Sequence, residues 1–186
     1  MSPVADCNLF EYYTQASTSS DKLSLLHSFF GCLAHGLRYL HDVKVRHRDI
    51  KPQNILVQGD RVLLADFGIA LDWADSGKTW QNTAPEVAFY QKRNSASDIW
   101  SLGCVFLEMA SVLKGETVEG IRTFFTERNR SYRIYKNLNA MPEWLDKLKL
   151  RGEGKDDVPV EWVRQVLQEE QESRPTAANV ANCYCY

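Results

Sequence analysis

The 186-residue sequence has little of what marks collagen-like, disordered or strongly charged proteins. Its 10 glycines and 6 prolines form no repeat, and 44% of its residues are hydrophobic, which excludes the collagen-like and disordered classes. The 22 basic and 24 acidic residues leave a net charge of -2, so the charge balance favours neither nucleic acid nor an anionic membrane as a partner. A chain of this length is predicted to form one domain that buries about 70% of its unfolded surface.

Cysteine is also scarce, with five residues at irregular spacings, and this excludes a disulfide framework and a Cys-x-x-Cys metal site. The two cysteines near the end, Cys183 and Cys185, are interpreted as a reduced pair on a loose tail, with a redox or metal site as the alternative. The cysteines are Cys7, Cys32, Cys104, Cys183 and Cys185.

No signal peptide is visible, because residues 1–6 lack a basic region followed by an apolar core. The longest apolar stretch, residues 102–113, is interrupted by Glu108 and is predicted to be too short to span a bilayer. We therefore expect a reducing compartment, the cytoplasm, with the nucleus left open.

Hydrophobic periodicity predicts a mainly α fold with one small β-hairpin, an α+β arrangement. Leucine and phenylalanine at spacings of three and four predict a helix over residues 23–40, capped by Ser20 or Asp21. Residues 54–57 and 61–64 flank a glycine-containing turn and predict the hairpin. Further helices are predicted over residues 96–113, 118–127, 142–150 and 160–171, with a polar loop at 151–157.

Short motifs in a fixed order carry the chemistry of the sequence. Residues 47–54 read HRDIKPQN, residues 66–68 read DFG and residues 84–86 read APE. Each triplet alone is weak, since a given tripeptide occurs by chance in about 2% of chains of this length. Together with DIWSLG at 98–103 and SRP at 173–175, the set resembles the protein kinase family, specifically its C-terminal lobe, over essentially the whole chain.

The resemblance implies transfer of the ATP γ-phosphate to a protein hydroxyl, with Mg²⁺ as the metal. Asp49 is expected to accept or orient the proton of the substrate hydroxyl, and Lys51 to reach the γ-phosphate. Asn54 completes the catalytic loop, and with Asp66 it supplies the hard oxygen donors for magnesium. Leu56 is expected to form the apolar floor under adenine.

The expected substrate class is serine or threonine. An Asp-x-Lys-Pro-x-Asn loop such as the one at residues 49–54 is similar to that of serine/threonine kinases. Thr79 precedes Ala84 at the spacing of the threonine that bonds the catalytic Asp and Lys in the family, which favours the same class.

Other residues of the resemblance are expected to be structural. Glu86 and Arg174 are predicted to form a buried ion pair, and Asp98 to bond the backbone of the catalytic loop around His47 and Arg48. His47 is expected to be a packed support residue. The remaining histidines, His27, His35 and His41, are at spacings that make a metal site improbable, and we expect them to be solvated or packed.

Arg48 has two alternative roles. In the family an arginine before the catalytic Asp pairs a phosphate on the activation loop, for which Ser76, Thr79 and Thr83 are the candidate acceptors here. The alternative is a hydrogen bond from Arg48 to nearby backbone.

The start of the chain, residues 1–8, resembles the hinge between the two kinase lobes, followed by a catalytic and activation region at 44–86 and a helical subdomain at 96–180. The backbone of Ser2 and Val4 is expected to face adenine, and Asp6 or Asn8 the ribose. The sequence shows no Gly-x-Gly-x-x-Gly loop, so we expect residues 1–186 to be a C-lobe without its N-lobe, with weak ATP binding and little activity alone.

Two further observations leave alternatives open. The activation segment, residues 69–83, is shorter than is typical, and Asn82 stands where an aromatic ring is common in the family. The leading interpretation is a serine/threonine kinase C-lobe. The alternatives are a catalytically silent protein-binding module and a lobe completed by a partner that supplies or covers the N-lobe surface.

Overall fold

The computed structural model describes residues 5–66, 82–89, 94–151 and 157–183, and these form a mainly α fold with a small antiparallel sheet. The predicted fold class is therefore confirmed. The helices are α1 (Leu9–Ala16), α2 (Ser20–Asp42), α3 (Pro85–Ala88), α4 (Ser95–Leu113), α5 (Val118–Asn129), α6 (Met141–Lys149), α7 (Asp157–Val166) and α8 (Ala177–Asn182). The strands are β1 (Cys7–Asn8), β2 (Ile55–Gln58) and β3 (Arg61–Leu64).

The sheet has the order β1-β2-β3, so the predicted hairpin is present but gains a third strand. In the hairpin Ile55 pairs with Leu64, and the turn places Gly59 at a φ of 57°, a conformation that glycine adopts without steric cost. The carboxylate of Asp6 accepts a hydrogen bond of 2.7 Å from the Gly59 N–H. This contact joins the first strand to the hairpin turn. The alternation of apolar and polar residues that predicts strands cannot show in a strand of two residues such as β1.

Helix α2 begins three residues earlier than predicted, and the predicted cap is wrong. The hydroxyl of Ser19, rather than Ser20 or Asp21, accepts from the Lys22 N–H at 3.4 Å. Asp21 lies instead in the first turn, where its negative charge is favourable at the helix N-terminus. The helix buries one stripe of its surface, formed by Leu26, Phe29, Phe30, Leu33, Ala34 and Leu37.

Helix α4 is the centre of the core. Asn94 caps it by accepting from the Ala96 N–H at 2.7 Å, and most of its later residues are buried on every side. Among the described residues, α4 is the one helix long and apolar enough to cross a membrane by length and composition, because it begins at Ser95, seven residues before the apolar stretch at 102–113. However, 78% of its apolar window is buried among the other helices, as in the central helix of a globular domain.

Helix α7 crosses α4 at very close range. A Cβ built on Gly103 would lie 2.6 Å from Val166 Cγ1 and 2.8 Å from Leu167 Cδ2, so a larger residue at 103 would force these side chains to shift. The predicted helix over 160–171 is wrong at both ends, since α7 begins at Asp157 and ends at Val166. After the helix ends, the carbonyls of Gln168 and Glu169 turn toward Arg174 and each accept a hydrogen bond of 2.8 Å from its guanidinium. The predictions for α5 and α6 are correct to within two residues at each end.

Candidate active site

The loop between α2 and β2 brings Asp49, Lys51 and Asn54 together. Asp49 Oδ2 accepts hydrogen bonds from Lys51 Nζ at 2.6 Å and from Asn54 Nδ2 at 2.7 Å. Asn54 ends a short 3-10 turn, Pro52–Asn54, which folds its amide back over the loop. The side chains of Asp49 and Lys51 are 30% and 24% exposed, so the carboxylate is held in one orientation and still faces solvent.

The buried carboxylate of Asp98 supports this loop from below. Asp98 lies in the first turn of α4 and accepts from the His47 N–H at 2.9 Å and from the Arg48 N–H at 2.8 Å. His41 Nε2 lies 3.0 Å from the same carboxylate. Sequence reasoning missed the role of His41, because it lies six positions before His47 and nothing in that spacing indicates a shared partner.

Two residues of the site have a left-handed backbone. Arg48 has a φ of 69° and Asp66 a φ of 55°. For a residue with a Cβ this conformation costs about 1–2 kcal/mol, and at Arg48 the hydrogen bonds that the His47 and Arg48 N–H groups donate to Asp98 offset that strain. The Arg48 side chain is exposed. Of its candidate phosphate partners, Ser76 and Thr79 lie outside the described residues, and the phosphate-pairing role stays a prediction.

His47 is fully buried beneath the loop. Its Nδ1 accepts from the Asp49 N–H at 3.4 Å, a long hydrogen bond that helps to orient the backbone under the carboxylate. This is the geometry of a support residue. Thr79, expected to bond Asp49 and Lys51, lies outside the described residues.

Asn54 and Asp66 lie together at the open end of the hairpin, Asn54 just before β2 and Asp66 just after β3. The Ala65 N–H donates to the Asn54 carbonyl at 2.9 Å, so Asp66 follows directly beside Asn54. The Asn54 amide nitrogen is committed to Asp49, and the Asp66 side chain is exposed. One carboxylate and one amide oxygen suit Mg²⁺, which takes one or two carboxylates together with substrate phosphates and water.

A metal cage made of protein ligands alone is absent from the described part of the chain. No group of three or more His, Cys, Asp or Glu side chains is placed to hold an ion there. The described cysteines, Cys7, Cys32, Cys104 and Cys183, are free. The donor set at Asn54 and Asp66 therefore fits an ion that is shared with a phosphate ligand.

The expected nucleotide contacts are only partly described. Leu56 is half-buried on β2 and pairs in register with Asn8 on β1. The Asn8 side chain accepts from the Glu11 N–H at 3.0 Å and caps α1, a role that competes with the predicted ribose contact. Ser2 and Val4 lie outside the described residues.

Glu86 and Arg174 form a buried ion pair with two parallel hydrogen bonds of 2.8 Å. Their side chains are 2% and 0% exposed. Burial raises the pKa of Glu86, but hydrogen bonds from Arg174 and Ser97 outweigh it, so its pKa lies below the ordinary value. The pair connects α3, which follows the activation segment, to the segment just before α8.

Comparison with known proteins agrees with this arrangement. The family model described as "Protein kinase domain" matches residues 1–184. The chain is 30% identical to mitogen-activated protein kinase sma-5 of Caenorhabditis elegans, over 80% of this chain and 38% of the relative. It is 41% identical to mitogen-activated protein kinase 16 of Oryza sativa subsp. japonica over 45% of this chain and 19% of the relative. It is likewise 41% identical to mitogen-activated protein kinase 15 of Arabidopsis thaliana, over 45% of this chain and 17% of the relative. The chain therefore spans less than two fifths of the length of each of these relatives.

Proposed function

The chain belongs to the protein kinase family, and on that premise we propose that it carries the catalytic lobe of a serine/threonine kinase. In a whole kinase domain it transfers the γ-phosphate of ATP to a serine or threonine hydroxyl of a protein substrate. The observation that carries the proposal is the contact of Lys51 and Asn54 with one oxygen of Asp49.

Asp49 acts on the substrate hydroxyl. Lys51 and Asn54 both bond Oδ2, and among the described residues no hydrogen-bond donor contacts Oδ1. That second oxygen is the one that receives, or orients, the proton of the attacking hydroxyl. A carboxylate held by two neighbours loses little orientational freedom when it meets the substrate, and such positioning supplies much of the rate in phosphoryl transfer.

Lys51 places a positive charge beside the same carboxylate. The reaction spreads negative charge over the transferred phosphoryl group, and a mobile cation close to the base stabilises that charge. Asn54 and Asp66 would hold Mg²⁺, which when bound shields the charge of the ATP phosphates. The serine/threonine class rests on the lysine at position 51, and we propose the cytoplasm as the compartment.

The test compares Asp49→Asn with Asp60→Asn, an exposed aspartate in the hairpin turn. Both are assayed with Mg·ATP and matched peptides that carry a single Ser, Thr or Tyr, using the chain alone and within a whole kinase domain. We expect Asp49→Asn to lower transfer roughly a hundredfold to ten-thousandfold, the usual contribution of a general base, and Asp60→Asn to leave it unchanged.

Three outcomes contradict the proposal in different ways. Unchanged transfer in Asp49→Asn shows that this carboxylate is not the base. Phosphorylation of the Tyr peptide alone refutes the serine/threonine class. No transfer in either setting from a folded protein favours the protein-binding alternative. A fourth outcome, transfer only when a separate N-lobe is added, agrees with the proposed activity and favours completion by a partner.

A further inference from the structure

Residues 130–136, in the connection between α5 and α6, form an ordered loop that carries concentrated positive charge; we call it the basic loop. Its two ends meet, because Asn129 Nδ2 donates to the Lys136 carbonyl at 3.3 Å. Asn137 is fully buried beneath it and donates to the carbonyls of Ser131 at 2.7 Å and Arg133 at 2.8 Å. The backbone of the basic loop, which ends in the 3-10 turn Ile134–Lys136, is therefore held in one shape.

The charges on the basic loop have one sign. Arg130, Arg133 and Lys136 lie within its seven residues and no acid does, although the whole chain has a net charge of -2. Arg130 and Lys136 are exposed, and neither forms an ion pair with an acid in the described ranges. By contrast Arg128, just before the loop, bonds Glu143 at 2.9 Å. Arg130 and Lys136 thus remain open to an external anion.

Exposed aromatic rings flank these cations. Tyr132 is 45% exposed and Phe89, at the end of α3, is 65% exposed. The Phe89 ring contacts that of Tyr135 edge to face, with centroids 6.1 Å apart, and Tyr135 in turn accepts from Arg133 Nη1 at 3.3 Å. Protein-binding surfaces are enriched in aromatic rings and arginine, and both are present here.

One turn of α4 connects this surface to the catalytic loop. Ser97 donates to Glu86 of α3 at 2.8 Å, and the next residue, Asp98, holds the backbone of His47 and Arg48. Phe89 follows Glu86 by three residues on the same short segment. A protein chain bound at Asp49 therefore lies on the same rigid framework as Phe89 and the basic loop.

We propose that the basic loop, together with Phe89 and Tyr132, docks an acidic segment of the protein that this lobe phosphorylates. Glutamate and aspartate carboxylates would pair with Arg130 and Lys136, and their aliphatic carbons would pack on the two exposed rings. This inference rests on the proposed function for the identity of the bound protein, but the docking itself is a binding property that needs no chemistry.

The test measures binding by fluorescence anisotropy on the full chain. The probe is a short labelled peptide with glutamates on both sides of one serine, and the comparison peptide has glutamine in place of every glutamate. We expect the glutamate peptide to bind more tightly and to weaken at high salt. The double variant Arg130→Gln/Lys136→Gln should weaken it about fivefold to tenfold, since two exposed charge pairs are lost.

The matched control is Lys44→Gln/Arg61→Gln, which removes the same charge from exposed positions elsewhere, Lys44 having a left-handed backbone like Arg130. It should leave binding unchanged, and the melting temperature of each variant verifies folding. Equal loss in the control, no loss in the loop variant, or equal binding of the glutamine peptide overturns the inference.

Failure of the docking surface and failure of the proposed function give different results. Asp49→Asn should bind the glutamate peptide as tightly as the unaltered chain, because Asp49 takes no part in docking. Loop-dependent binding by the chain, together with no transfer even within a whole kinase domain, supports the docking surface and contradicts the kinase proposal. If the loop variant transfers phosphate to the glutamate peptide as fast as the unaltered chain, the docking surface is refuted and the proposed function is not.

Discussion

Removing the carboxylate of Glu86 should destabilise the fold more than any exposed substitution. In Glu86→Ala the Arg174 guanidinium keeps only its hydrogen bonds to backbone carbonyls, and its charge stays buried, since its side chain is 0% exposed. Those carbonyl acceptors belong to Gln168, Ala96 and Glu169. Desolvation of an unpaired cation is the physical reason for the loss.

The expected loss is about 3–5 kcal/mol, the usual cost of breaking a buried pair by removing one partner. Since domains are typically stable by about 5–15 kcal/mol, this is a large share of the total. For a chain of this size it corresponds to a fall of roughly 6–20 °C in melting temperature.

The assay is chemical and thermal unfolding of Glu86→Ala, Arg174→Met and the double variant. We expect the double variant to be more stable than the sum of the single losses predicts, because it leaves neither charge unpaired. Glu143→Ala is the control, since it breaks an ion pair in which Glu143 is 61% exposed, and it should shift the melting temperature far less.

The pH dependence provides an independent check. Because the pKa of Glu86 is lowered in the folded state, its contribution is present above the ordinary value of 4.5 and is lost as the pH falls through the folded pKa. The difference between the unaltered chain and Glu86→Gln should therefore shrink in acid. An unchanged melting temperature at neutral pH, or losses that simply add in the double variant, would refute this account of the pair.

Two further substitutions test the core. Burial raises the pKa of Glu108 to about 8, with Arg122 opposing the shift, so stability should fall by about 1.4 kcal/mol per pH unit as the pH rises from 4.5 toward 8. Glu108→Gln should flatten that slope in denaturant unfolding at stepped pH, and an identical slope in the variant would show that Glu108 does not cause it. Gly103→Ala should cost about 1–3 kcal/mol, because the added Cβ would lie 2.6 Å from Val166 Cγ1. A melting temperature equal to that of the unaltered chain would mean that α7 moves away without cost.

Elements with long periodic patterns were predictable, and short ones were not. Helices α5 and α6 and the hairpin strands follow directly from spacing, because each buries a regular stripe or face. Helix α8 has six residues and β1 has two, too few for a period to show. The end of α7 depends on Arg174, whose side chain takes the carbonyls that follow the helix.

The cap of α2 and the role of Asn8 show a second limit. Ser19 and Ser20 are equally good caps by composition, and only the path of the chain into the helix selects Ser19. Asn8 is a plausible ligand contact by position, yet its side chain caps α1. Small polar side chains satisfy several local roles, so their identity alone does not decide among them.

Sequence motifs alone identified the family of the chain and the loop residues proposed to act in catalysis. Asp49, Lys51 and Asn54 lie within six residues, so a short loop and one 3-10 turn suffice to join them. The resemblance predicted the hydrogen bond from the His47 N–H to Asp98, 51 residues away, but only the folded chain shows that His41, 57 residues away, shares that carboxylate. The physical reason is that local spacing encodes only contacts within a few turns, whereas a hydrogen bond across 50 residues depends on how α2 and α4 pack around the core.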